Sequence, residues 1–115
     1  MSIQCSKPYQ PVQSISIRAI EDLPGFRFIS HLGSLCDDSS RATGVTEVDW
    51  LNGELSSVVT LGTMVVATVT SINAGEDVTS SVGGKAKPAS GTMPVNGRAL
   101  TSCTGSDYVV IKLVP

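Results

Sequence analysis

Charged side chains are scarce in this 115-residue chain, at 16%, and its eight Lys and Arg gather no more closely than Lys85 and Lys87. Phosphate binding requires clustered cations, so no nucleic-acid partner is expected. Long apolar runs are also missing. No stretch approaches the roughly 18 apolar residues of a membrane span. The opening MSIQCSKPYQPVQS carries one Lys and none of the continuous apolar segment that a standard export signal needs. Neither membrane insertion nor standard export is therefore expected. Cysteine is limited to Cys5, Cys36 and Cys103, an odd count without C-x-x-C spacing, which excludes a disulfide framework and a recognisable metal site. These read as free thiols that act as small buried hydrophobes.

Histidine occurs once, as His31, and triad-type catalysis needs a His to activate its nucleophile. No G-x-S-x-G elbow and no H-E-x-x-H motif is present, and one His with three scattered Cys matches no zinc spacing. The adjacent pairs Glu21-Asp22, Asp37-Asp38 and Glu76-Asp77 lie beside Gly, Pro or Ser. Neighbours in an extended chain point in opposite directions, so these pairs read as solvated turns and not as acid/base or calcium sites. Gly83-Gly84-Lys85 lacks the full phosphate-loop pattern and reads as a hairpin turn. Aromatics are few: Tyr9, Phe26, Phe28, Trp50 and Tyr108. At least two of them belong in a core, which leaves little for a sugar-stacking face. No catalytic residue, metal site or cofactor follows from these residues, and the chain is not expected to be an enzyme.

Val, Ile and Thr supply 31 residues and Gly another 11, a composition of strands joined by tight turns. No window shows a convincing helical stripe between caps. The expected fold is all-β: a small single-domain β-barrel or β-sandwich of short strands with a turn about every ten residues. Ile15 and Ile17 alternate with Ser14, Ser16 and Arg18 as a half-buried strand requires, and Asn52-Gly53 is the strongest hairpin signal. The segment ELSSVVTLGTMVVATV is apolar on two faces, with Val59, Leu61, Val65, Ala67 and Val69 opposite Val58, Met64 and Val66. A strand of that kind needs cover on both sides. One expectation is therefore a self-association surface made from Trp50, Val58, Met64 and Val66.

The composition changes near residue 14. Residues 1–13 hold Pro8, Pro11 and three Gln with few strand formers, so they read as an extended N-terminal arm ahead of a 14–115 domain. Such an arm stays ordered when something holds it.

From residue 25 onward the order of segments is distinctive: GFRFISHLGSLC, ATGVTEVDW, LGTMVVATV, INAGEDVTSSVGGKAKPAS and NGRALTSCTGSDYVVIKLVP. This order resembles the capsid cement, or head decoration, proteins of tailed bacteriophages. The resemblance rests on Gly25 to Ile29, Gly44-Val45, Leu61-Gly62 to Val66, Ala74-Gly75 to Ala86, and Gly97-Arg98-Ala99-Leu100 with Asp107 to Leu113. The stretch EVDWLNGELSSVV stands where the family has a small Ala- and Gly-rich acidic loop, and the Pro-bearing arm is longer than the family's. The resemblance implies a compact β domain made in the host cytoplasm and added to the outer capsid surface of the virion. There it would bind the major capsid protein, commonly as a homotrimer over local threefold positions, and stabilise the expanded head by bridging neighbouring subunits. On this reading the capsid-binding arm uses Ile3, Pro8, Tyr9, Pro11 and Val12. The alternative is a virion-associated glycan-binding or adhesin-like β-module, for which Trp50, Tyr9 and Tyr108 would lie coplanar and exposed. A small hydrolase or isomerase would need His31 in a cleft beside Asp37, Asp38 or a Cys.

Overall fold

The structure is a computed structural model that describes residues 9–113. They form strands β1 (Pro11–Arg18), β2 (Phe28–Ile29), β3 (Gly44–Thr46), β4 (Leu55–Ala67), β5 (Asp77–Ser80), β6 (Ala86–Pro88), β7 (Gly97–Ala99) and β8 (Tyr108–Leu113), with one 3-10 turn at Val82–Gly84. The sheet order is β2-β3-β4-β8-β7-β5-β6, every named pair is antiparallel, and β1 adds to β4. The two ends of this sheet approach each other. Ala67 N donates to Phe26 O at 2.9 Å, Val69 N to Ala86 O at 3.1 Å and Gly84 N to Cys36 O at 3.0 Å, so the sheet closes almost into a barrel. The expected all-β single domain is what the chain forms, in the barrel-like variant. Among the described residues no helix is long and apolar enough to cross a membrane.

β4 is the spine of this arrangement. Around residues 58–59 it pairs with both β1 and β3, and over residues 63–67 it pairs with β8. Gly62 sits between the two halves at a φ of 109°, where a side chain is strained, and an added Cβ would come within 2.4 Å of Gln10 O. The alternation of the strand changes phase there: Val59 enters the main core, Leu61 is exposed, and Met64 and Val66 enter the core again. A strict period of two across Gly62 puts Met64 and Val66 on the wrong face, which is why the expected face assignment fails beyond it.

Two apolar clusters follow from this bend. The main one fills the barrel with Phe28, Val45, Val59, Met64, Val66, Ile72, Val78, Val109, Ile111 and Leu113 among others. A smaller one, Ala19, Leu23, Ile29 and Val58 with Ile17, Leu35 and Trp50 against it, covers the opposite face of the first half of β4. The second apolar face thus has intramolecular cover, supplied by the loops on either side of β2 and by Trp50. Each fully buried Val or Met contributes about 1.5–3 kcal/mol.

Buried polar groups lock the long loop between β2 and β3. Ser80 Oγ donates toward Asp37 O at 2.6 Å and Ser40 O at 2.9 Å, and it accepts Ser40 N at 2.9 Å. Asn96 accepts Ala42 N through Oδ1 at 3.0 Å and donates to Ser40 O through Nδ2 at 2.9 Å. Both side chains are buried, and pairing offsets the cost of removing them from water.

The N-terminal boundary differs from the expectation. β1 begins at Pro11, paired opposite Gly62, so residues 11–13 belong to the protein's own sheet and not to a separate arm. Proline at the first position of a strand gives up no ladder hydrogen bond that the sheet needs.

Candidate functional site

The groups that carry chemistry are dispersed. His31 is exposed in a turn, and Asp38 faces Lys87, whose Nζ donates to its Oδ1 at 2.5 Å. Cys36 is buried, its Sγ lies 3.8 Å from Arg41 O, and burial, with a smaller contribution from Asp37, pushes its thiol up to about 11. A thiol held protonated in this way is a poor nucleophile. Cys103 is also buried, with Sγ 3.6 Å from Thr68 Oγ1. Cys5 lies outside the described residues. Among the described residues no group of three His, Cys, Asp or Glu is placed to hold a metal ion. Neither of the two surface pockets described below is lined by His31.

The aromatic residues build no stacking platform. Tyr9 and Phe26 meet edge to face at 6.1 Å and 78°, and Phe26 meets Tyr108 at 6.1 Å and 81°. Phe28 is in the main core and Trp50 packs on the smaller cluster. Of the three rings that a glycan-binding face would expose, Tyr108 is exposed while Tyr9 and Trp50 are half-buried.

The expected interaction residues divide into three groups. Ile3 and Pro8 lie outside the described residues. Tyr9, Pro11 and Val12 are placed on the protein's own barrel: Tyr9 packs against the core, and Val12 projects outward from β1, 71% exposed. The third group requires a correction. Val58, Met64 and Val66 are fully buried at 0% exposure, so their side chains present nothing to a second subunit. Trp50 is half-buried and touches a surface pocket of about 240 Å³, together with Asp22, Leu23, Pro24, Asp49 and Leu51. A more polar pocket of about 200 Å³ lies elsewhere, between Arg27, Lys85, Ser106, Asp107 and Tyr108.

Surface hydrophobics not singled out in the sequence are the more informative feature. Ile20, Leu32, Val48, Leu51 and Leu55 are all more than half exposed. Ile20 N bonds Gly33 O, Ala19 N bonds Glu54 O and Gly53 N bonds Ala19 O, so the three loops carrying most of these residues meet at one end of the barrel. The available signal was Leu51, an apolar residue at the mouth of the Asn52-Gly53 turn, where polar residues are usual. A second interaction feature is the outer edge of β1. One edge pairs with β4, and among the described residues no strand pairs with the other.

The described residues form a nearly closed β-barrel with exposed apolar side chains on the loops at one end. No family model matches the chain, and no curated protein matches it. Among solved structures it is similar to the N-terminal base of the head fibre protein gp8.5 of bacteriophage phi29, with a TM-score of 0.75 at 21% identity, over 89% of this chain and 93% of that one. At that identity the likeness establishes the fold.

Proposed function

We propose that the chain is a structural protein of a phage head, and specifically a capsid decoration protein without enzymatic activity. It binds the outer surface of the expanded head and stabilises it by bridging neighbouring major capsid protein subunits. The observation that carries this reading is the fold shared, end to end, with the base of a phage head fibre. The ordered motifs from Gly25 to Leu113 support the same reading, as does the dispersal of His31, Cys36 and the acidic pairs.

Such a protein works by repetition. Each copy contributes one interface of modest size, and many copies around the shell raise the barrier to rupture well beyond what one contact supplies. A homotrimer over a local threefold position suits this role, with contacts drawn from surface groups and not from Val58, Met64 or Val66. The edge of β1 that is unpaired among the described residues offers backbone N–H and C=O groups to a strand of a neighbour, and residues 1–8 precede it in the sequence.

Co-sedimentation with undecorated, expanded heads tests the reading. The comparison is between the full chain and a variant lacking residues 1–8, which retains Tyr9 and all of β1. Removing residues 1–13 instead would cut into the sheet and confuse binding with folding. Saturable binding by the full chain is expected, weakened in the shortened variant. A full chain that stays in the supernatant at every concentration refutes the function.

A further inference from the structure

The end of the barrel built from residues 18–24, 31–33 and 48–55 combines three properties. It is apolar, with Ile20 at 58%, Leu32 at 66%, Val48 at 53%, Leu51 at 63% and Leu55 at 55% exposure. It is also acidic. Residues 18–24 and 48–55 contain Glu21, Asp22, Asp49 and Glu54 against Arg18 alone, a formal charge of -3 where the whole chain carries -2. Finally, it holds an unsatisfied donor: Trp50 Nε1 is buried without a hydrogen-bond partner beside the Asp22–Leu51 pocket. A buried indole N–H left in that state costs about 1–3 kcal/mol.

The carboxylates are fixed in place. Glu21 accepts Leu35 N at 2.8 Å, Asp22 accepts Asn52 N at 2.9 Å, Asp49 accepts Gly25 N at 2.7 Å and Glu54 accepts Leu51 N at 2.6 Å. One oxygen of each is occupied by a backbone N–H, and the other has no partner among the described residues. Four carboxylates that need little further ordering thus share this end of the barrel with exposed Leu and Ile.

We propose that this end is a docking surface for a different protein, one that presents Lys or Arg side chains around an apolar projection. The apolar group enters the pocket beside Trp50, and the cations meet Glu21, Asp22, Asp49 and Glu54. A second copy of this chain is the wrong occupant, because a symmetric contact through this face sets -3 against -3 within a Debye length of roughly 8–10 Å. The remainder of the chain carries a formal +1. This inference rests on the head-binding reading in one respect: there, the basic and apolar partner is a capsid subunit.

Trp50 is the single tryptophan of the chain and reports directly on its own pocket. The probe is a synthetic peptide alternating Leu and Lys, titrated against the full chain, with a Leu/Glu peptide for comparison. The Leu/Lys peptide is expected to shift Trp50 emission saturably, and the Leu/Glu peptide to leave it unchanged. The combined variant Glu21→Gln, Asp22→Asn, Asp49→Asn, Glu54→Gln keeps an amide oxygen for each backbone N–H and removes the charge. It should bind the Leu/Lys peptide at least tenfold more weakly, as should Leu51→Asp, while Leu100→Asp, exposed after β7 and outside these three segments, leaves binding unchanged. Unmoved emission, or equal affinity in the combined variant, overturns the inference, as does self-association of the wild type that Leu51→Asp abolishes. Heads separate the two readings. If wild type and combined variant bind heads equally, this surface is refuted and the function stands. If neither binds heads while the peptide still discriminates between them, the surface stands and the function is refuted.

Discussion

Tyr9 and Glu47, thirty-eight residues apart in sequence, are joined by a hydrogen bond in which Tyr9 Oη donates to Glu47 Oε2 at 2.9 Å. The same ring stands edge-on to Phe26, so Tyr9 fastens the start of the described chain to the barrel just ahead of β1. A residue expected on the capsid-binding arm is therefore part of the fold. Tyr9→Phe should lower stability by about 0.5–1.5 kcal/mol, and Tyr9→Ala by more, because the aromatic pair adds a similar amount. Urea denaturation checks this: a pair of variants with wild-type midpoints would return Tyr9 to a purely external role.

Met64, expected on a self-association surface, lies in the barrel core with no exposure. Met64→Ala should cost about 2–5 kcal/mol and leave the oligomeric state of the folded fraction unchanged. Analytical ultracentrifugation beside a denaturation curve separates the two effects. Dissociation without loss of stability would contradict the core placement.

Glycine positions differ sharply in what they tolerate. A Cβ at Gly44 would sit 2.1 Å from Val59 O in the neighbouring strand, whereas at Gly53 nothing lies within 4 Å and only a φ of 92° opposes substitution. Gly44→Ala should prevent β3 from pairing with β4 and abolish cooperative folding. Gly53→Ala should cost about 1–2 kcal/mol, the penalty of a left-handed backbone. Circular dichroism melts of the two variants give the comparison, and similar melting temperatures would show that the β3–β4 approach is looser than described.

Much of this architecture was legible in the sequence, and the failures have physical causes. The abundance of Val, Ile and Thr, the Ile15 and Ile17 alternation and the Asn52-Gly53 turn all point to the all-β fold that forms. The phase change at Gly62 was not legible, because its positive φ and the register shift opposite it depend on the approach of Gln10 and Val12. The cover over Val58 is not legible for a related reason: Leu23, Ile29 and Trp50 come from separate segments, and only the closed fold brings them to one face. Ser80 and Asn96 read as ordinary surface residues until the loop over residues 37–42 gives them partners. The exposed leucines at the acidic end share no periodic pattern, since Leu32 and Leu51 lie in or beside turns while Leu55 opens β4.

Cys36 makes stability depend on pH in a defined direction. Its thiol is raised from 9.0 to about 11 in the folded protein, so the folded state holds its proton where the unfolded state has lost it. The stabilisation is complete below the unfolded value and is lost as pH rises through the folded one. Urea midpoints should fall between pH 9 and 11 by more in wild type than in Cys36→Ala, and parallel curves would contradict the placement. At pH 8 the folded thiol should also react with a disulfide reagent much more slowly than the unfolded one.

Stabilisation of the head is the central claim, and it is measured most directly on DNA-filled heads lacking the protein. The temperature at which they release DNA is recorded with and without a saturating amount of the purified chain. A decoration protein raises that temperature, and the rise grows with occupancy until the sites are full. Heads that release DNA at the same temperature with the chain bound, or that bind none of it, would contradict the claim.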